Sequence, residues 1–408
     1  MDDSSKKQQL LDNPWGILYG VRPGKVVHKL FDSELALPDI RLVLKEKYLL
    51  SEDKIDLLLQ LRSEETEVFD FSKEVEDNWG IYLGIPFCPS KCHYCSFFAH
   101  SSKTFKNTIE PFFRALLEEI RLTFQAFPSL KEKIDCLYIG GGTPACLGPD
   151  LTAELLDCLR AELKQLKEIT FEGGRPELME AELYSALQGK VDRICINPQS
   201  LNDRVLKING RNHSAAETIR SFEQARSLGF NYINMDLRAG LPGDDFLSFK
   251  AGLQKMVELK PENITVHALA IKRASNLSKN PEMMAILDAQ AARKMTDFAS
   301  EFLMENNYRP YYCYRQRDIL GGTENIGYTL PGYACRYNMM MISERMNIIG
   351  FGGGAASKFL FPWLSGREKI KRIANPRDAL IYLNRGAKTN AERKFSSIEQ
   401  ILTRGEDL

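Results

Sequence analysis

From residue 80 onward, short apolar runs alternate with longer amphipathic stretches, and this alternation constrains the fold more than any other feature. Runs at 81–85, 134–139, 168–171, 193–196, 232–237 and 264–268 have the length and residue types of strands. Stretches near 105–127, 150–166, 177–188, 202–228 and 246–258 have helical spacing. Strands that alternate with helices demand right-handed βαβ crossovers and a parallel sheet. Six of them fit an incomplete barrel or an open α/β sheet, and periodicity alone does not separate the two. Upstream, residues 1–78 read as a helical segment, with a helix over 53–62 behind a Ser51 cap and an acidic linker at 63–77. Downstream, 276–408 form a different region: a helix near 281–306, an aromatic, Gly- and Met-rich stretch at 308–358 with a strand at 311–314, and a charged helical end at 366–408. The barrel-like unit between them spans 79–275.

Composition excludes several classes. The 54 basic and 54 acidic side chains cancel, so there is no global field for nucleic acid or a membrane surface. Hydrophobic residues make up 44%, enough for a large core. The first seven residues are polar, and no apolar run approaches the ~20 residues of a membrane span. Nine cysteines, three of them within eight positions, read as metal chemistry in a reducing, cytoplasmic setting and not as a disulfide framework.

Those three, Cys88, Cys92 and Cys95, are spaced CxxxCxxC directly after the first strand. The C-terminal ends of strands carry the chemistry of barrel-like folds. A compact loop there can wrap a [4Fe-4S] cluster, whose irons take thiolates. Three ligands leave one iron open to the amino and carboxylate groups of S-adenosylmethionine. The competing assignment is zinc, with His93 as a fourth ligand, but structural zinc favours paired knuckles and no second CxxC exists. Gly140-Gly141-Gly142-Thr143-Pro144 follows the second strand, where glycines permit close approach to a ligand and free amides offer donors. Glu172, Gln199 and Asp236 fall at the ends of the next three strands, with Arg211 between the last two.

The thiol spacing, with Tyr94 before the third cysteine and Phe97 after it, resembles the radical S-adenosylmethionine (SAM) superfamily, and 140–144 match its GGGTP motif residue for residue. Tyr82-Leu83-Gly84-Ile85-Pro86-Phe87-Cys88 resembles the oxygen-independent coproporphyrinogen III oxidase branch. Residues 14–25, Tyr314-Arg315-Gln316, Glu324-Asn325-Ile326-Gly327-Tyr328 and the late glycine motif at 352–358 resemble HemZ-type coproporphyrinogen dehydrogenases. The resemblance covers 14–360. The segment before the barrel is short for that group, and 236–239 and 342–346 follow its pattern only loosely.

The resemblance implies an α/β chain built on a partial (β/α)6 barrel, with the helical N-terminal segment and a smaller C-terminal α+β region. It implies a cluster on Cys88, Cys92 and Cys95. It also implies contacts to one of two bound SAM molecules from Tyr82, Tyr94, Gly141, Gly142, Thr143, Glu172, Gln199, Arg211, Asp236 and Ala268. The implied reaction is oxidative decarboxylation of two propionates of coproporphyrinogen III to vinyl groups, giving protoporphyrinogen IX in heme biosynthesis, with an electron donor such as flavodoxin or ferredoxin. A substrate with four propionates needs cations; Arg22 and Arg315 are the first candidates, then Lys25, Lys272, Arg273, Arg317 and Arg336. Residues 14–28 and 308–358 are accordingly expected to fold over the strand ends. The remaining cysteines are expected to be packing residues, and Cys335 is the one to check as an extra functional thiol. The alternatives are a heme-binding chaperone and a radical heme methyltransferase that opens the ring. None of the five histidines lies beyond His267, which favours an iron-free tetrapyrrole.

Overall fold

The structure, a computed structural model, describes residues 13–18, 22–69, 79–97, 100–364 and 369–403. The first twelve residues, 19–21 of the N-terminal motif and 70–77 of the expected linker lie outside the described residues.

Six parallel strands form the centre: β1 (Trp79–Ile85), β2 (Ile134–Gly141), β3 (Glu168–Glu172), β4 (Arg193–Gln199), β5 (Ile233–Ala239) and β6 (Asn263–Ala268). Five further strands come from the C-terminal third: β7 (Arg309–Tyr314), β8 (Asn325–Thr329), β9 (Asn347–Gly352), β10 (Ala356–Leu360) and β11 (Ile370–Ala374). They extend the same sheet at both edges, in the order β11-β10-β9-β1-β2-β3-β4-β5-β6-β8-β7. Strand β9 runs parallel to β1, and β8 antiparallel to β6. Among the described residues the edge strands β7 and β11 do not pair, which leaves the barrel open.

Along β3 to β6 the side chains alternate strictly. Ile169, Phe171, Ile194, Ile196, Met235 and Val266 belong to the core shared with the surrounding helices. The other face is polar: Glu168, Thr170 and Glu172; Arg193, Cys195 and Asn197; Asn234, Asp236 and Arg238; Asn263, Thr265 and His267. Period-two alternation on a curved sheet therefore makes an apolar outside and a polar inside. The floor is closed by Arg193, which donates to Glu168 at 3.1 Å and to Asn263, and by Cys335, which donates to Glu168 at 3.1 Å. Cys335 is fully buried there, far from the strand C-termini, and burial beside Glu168 pushes its thiol to about 12. It packs in the core, as expected of the remaining cysteines.

Other local expectations also shift. The N-terminal helix α3 (Glu52–Val68), after α1 (Gly24–Asp32) and α2 (Leu37–Glu46), runs six residues into the stretch taken as linker. Ser51 precedes it, but its hydroxyl bonds Pro14 O at 3.1 Å and caps no amide. The stretch at 202–228 is two helices, Asp203–Ile208 and Ala215–Ser227, broken at Gly210 with φ +72°. The charged end contains β11 as well as the helices Ala379–Arg385 and Ala387–Leu402. These last two clamp helix α4 (Lys106–Ala126) through a fully buried carboxylate. Glu119 accepts from Lys394 at 2.5 Å, Tyr382 at 2.6 Å, and Asn375 and the Gly352 amide at 2.9 Å.

The N-terminal and aromatic motifs meet. Trp15 Nε1 donates to Glu324 at 2.9 Å, Lys54 reaches the same carboxylate at 2.7 Å, and Arg315 lies 5.2 Å over the Trp15 ring while donating to Leu18 O at 2.7 Å. Helix α3 packs on β7, and the helix Arg336–Ser343 bridges β7, β2 and α1 across the barrel's open side.

Candidate functional site

The thiol loop is staked down on several sides. Phe87–Cys88 pairs in parallel with His100–Ser101. His93 N donates to Asn209 O at 3.1 Å, and His93 O accepts from Leu277 at 2.7 Å. The GGGTP turn packs beneath it, with Gly142 N on Ile85 O at 2.8 Å and Thr143 N on Phe87 O at 2.7 Å. These two amides serve the protein. A Cβ at Gly142 would lie 2.6 Å from Phe87 O and 3.1 Å from Cys88 Sγ, which is why the turn tolerates nothing larger. The late glycine motif is explained the same way. A Cβ on Gly352 would stand 2.5 Å from Gly84 O, and one on Gly353 2.6 Å from the Pro86 ring. That motif supports the strand leading to Cys88.

All three thiols are free. Arg175 approaches Cys92 Sγ at 3.2 Å and Arg211 at 3.7 Å, while Thr143 donates to Cys88 Sγ at 3.3 Å. Burial alone would raise the Cys92 thiol, but the two guanidiniums outweigh it and hold it below its ordinary value. Burial pushes Cys88 to about 11 and also raises Cys95. Arginine thus eases the ionisation of Cys92, while burial opposes that of Cys88 and Cys95 until a metal supplies the charge. Among the described residues, no three His, Cys, Asp or Glu side chains stand close enough to share one metal ion. The His93 ring packs against Gly210. Three thiols on one loop, charge-compensated at Cys92 by arginine, offer the thiolate ligands that an iron–sulfur group takes.

Below the loop lies a pair of carboxylates. Asp236 accepts from Asn234 at 2.8 Å and faces His267 at 3.4 Å, whose other ring nitrogen meets Tyr314 at 3.3 Å. Burial opposes its charge, but His267 and Asn234 outweigh burial and keep Asp236 low. Glu172 has no such cation. Burial, reinforced by Asp236, pushes it to about 8. One cavity therefore holds one ionised and one protonated carboxyl, because two like charges in a low-dielectric space do not both ionise. A Cβ on Gly140 would sit 2.6 Å from Glu172 and 3.2 Å from the Tyr82 hydroxyl, so these residues share a wall. Tyr138 stacks on Tyr82 and Tyr337 at 6.1 and 4.9 Å, making the wall aromatic.

Six of the ten expected cofactor residues fall into two groups. Tyr82, Glu172 and Asp236 line the interior. Tyr94, Gln199 and Arg211 cluster at Cys92: Arg211 reaches the Tyr94 hydroxyl at 3.4 Å, Gly174 O at 3.2 Å and Asn197 O at 2.5 Å. Gly141, Gly142 and Thr143 underlie Cys88, and the Ala268 amide donates to Asn325 at 3.0 Å. Four of the cation candidates are engaged by protein groups, while Arg273 and Arg317 are exposed. Arg22, Lys25 and Arg372 converge on the buried Glu344, and Arg315 is held at Leu18. Arg336 grips Asp135 at the barrel floor, away from the site. Sequence reasoning missed Arg175, Arg238, Tyr138 and His267. Arg175 lies three residues after Glu172, just past the same strand end, and the polar alternation of β5 and β6 pointed to Arg238 and His267.

The Radical SAM superfamily profile matches residues 82–251. The oxygen-independent coproporphyrinogen-III oxidase-like protein HemZ of Bacillus subtilis is 38% identical over 395 residues, 95% of this chain and 77% of that protein. The heme chaperone HemW of Escherichia coli is 30% identical over 285 residues, 69% and 70% of the two chains. The solved structure of coproporphyrinogen III oxidase (HemN) from Escherichia coli, a radical SAM enzyme, superposes with a TM-score of 0.58 at 20% identity, covering 82% of this chain and 72% of that one. No helix among the described residues is long and apolar enough to cross a membrane. The chain belongs to the radical SAM superfamily, in its HemN/HemZ-like branch.

Proposed function

We propose that this protein oxidatively decarboxylates coproporphyrinogen III, using a [4Fe-4S] cluster on Cys88, Cys92 and Cys95. The observation that carries the reading is the inner face of the sheet: the Glu172 and Asp236 pair beside a wall of tyrosines, on the sheet whose β1 leads directly into the thiol loop. When bound, a cluster and SAM would supply radical chemistry able to remove a hydrogen atom from a propionate side chain, with carbon dioxide leaving and one electron passing to an external acceptor. The chain's own residues position and enclose. Arg175 and Arg211 compensate thiolate charge at Cys92. Glu172, protonated when the cavity is empty, can give up its proton to meet a cationic ligand such as a sulfonium or ammonium group. The tyrosine wall offers flat apolar faces to a macrocycle. The division of polar residues into an interior group and a Cys92 group supports two SAM molecules.

The test is anaerobic incubation of reconstituted protein with dithionite, SAM and coproporphyrinogen III, followed by mass spectrometry. Loss of carbon dioxide and appearance of vinyl products are expected. SAM cleavage without any decarboxylation would overturn the proposal. A second reading, heme delivery, is favoured by the 30% identity to HemW; stable one-to-one heme binding in the absence of decarboxylation would put it first.

A further inference from the structure

Arg238 stands on the inner face of β5, opposite His267 in the β5–β6 register, and is the only residue of the strand that is not buried. It lies in the stretch where the sequence departs from the family pattern. Its Nε donates to Gln199 Oε1 at 3.0 Å, and its guanidinium lies 4.8 Å from the centre of the Tyr94 ring. Two contacts thus fix the plane and one edge of the group. Among the described residues no carboxylate pairs with it, and its terminal nitrogens donate to no protein acceptor.

The other arginines near the thiol loop differ. Arg211 uses both terminal nitrogens on Gly174 O, Asn197 O, Tyr94 and Cys92. Arg175 spends its own on Ser90, Cys92 and Glu177. Arg238 alone of the three keeps the outer edge of its fork open.

The fold also holds the anchor in place at a cost. Pro198 has no amide for the ladder, and the β4–β5 register slips between Ile196 and Gln199. Gln199 then adopts φ +69°, a left-handed conformation that disfavours a side chain with a Cβ. Strain of this kind persists where surrounding structure enforces it and clusters at functional sites. Here it turns the Gln199 amide toward Arg238.

A guanidinium stacked on an aromatic face and bonded through Nε presents two parallel N–H groups in its plane, the geometry that takes a carboxylate in two hydrogen bonds. We infer that Arg238 is a carboxylate-binding residue of this site, taking either the carboxylate of SAM or a propionate of the substrate. The second source rests on the decarboxylase reading; the first does not.

The test uses cluster-loaded protein and the variants Arg238→Gln and Arg238→Lys, with iron content and melting temperature measured alongside. Equilibrium dialysis gives the Kd for SAM and for decarboxylated SAM, which lacks the carboxylate; fluorescence quenching gives the Kd for coproporphyrin III, a stable tetrapropionate. Loss of a charge-assisted bidentate contact weakens binding by about 10- to 100-fold. If the cofactor is the source, Arg238→Gln weakens SAM by that factor and leaves decarboxylated SAM unchanged. If the substrate is the source, coproporphyrin III weakens and SAM does not. In either case Arg238→Lys recovers only part of the loss, since it keeps the charge and not the fork. Unchanged binding of both ligands overturns the inference, as does equal weakening of SAM and its decarboxylated analogue. Wild-type protein that fails to bind coproporphyrin III counts against the decarboxylase reading and leaves the SAM measurements to decide Arg238.

Discussion

Replacing Glu172 by glutamine removes the one carboxyl that the cavity keeps protonated. Its pKa rises from an ordinary 4.5 to about 8, through burial first and the Asp236 charge second. A carboxyl raised by folding contributes stability that is fully present below its unfolded pKa and is lost as pH climbs through the folded value. The window here is therefore about pH 4.5 to 8. Three and a half pH units correspond to about 5 kcal/mol at full weight; the side chain keeps some access to solvent, so about 2–4 kcal/mol is expected. Asp236 is shifted downward and titrates below this window. Glutamine keeps the shape and cannot ionise, so Glu172→Gln escapes the loss. Denaturant midpoints of both proteins, without added SAM, should be compared at half-unit steps from pH 5 to 9. The stability difference should grow in favour of the variant up to pH 8 and then level off. A difference that is flat across pH 5 to 8 would refute the assignment of a protonated Glu172.

Cys88→Ala, Cys92→Ala and Cys95→Ala should each abolish SAM cleavage and lower iron content in anaerobically reconstituted protein; three variants with full cleavage would sink the cluster assignment. Gly142→Ala should reduce iron loading while leaving the far-ultraviolet circular dichroism intact, because its Cβ meets Phe87 O at 2.6 Å and Cys88 Sγ at 3.1 Å. Lys394→Met should cost about 3–5 kcal/mol in denaturant unfolding, since it strands the fully buried Glu119 without its cation; a loss below 1 kcal/mol would mean that Tyr382 and Asn375 suffice.

The sequence by itself determined what is written in contiguous residues. The alternation of strand and helix specified six parallel strands, since periodicity follows from local backbone geometry. The thiol loop and the GGGTP turn were legible for the same reason: their residues are neighbours in the chain. Tertiary structure decided the partners. Trp15 and Glu324 are 309 residues apart, and nothing near either one in sequence announces that the N-terminal motif docks on the aromatic one. The role of the late glycines came only from the sheet order, which places β9 beside β1, where Gly352 and Gly353 make room for Gly84 and Pro86. The arginines show the limit most clearly. Arg22, Arg175, Arg211, Arg238, Arg315 and Arg336 look alike in a sequence, and each guanidinium takes the acceptors that folding brings within about 3 Å. Which one is left with an open edge depends on strand register, on the bulge at Pro198 and on the break at Gly210, where parts of the chain far apart in sequence come to lie together.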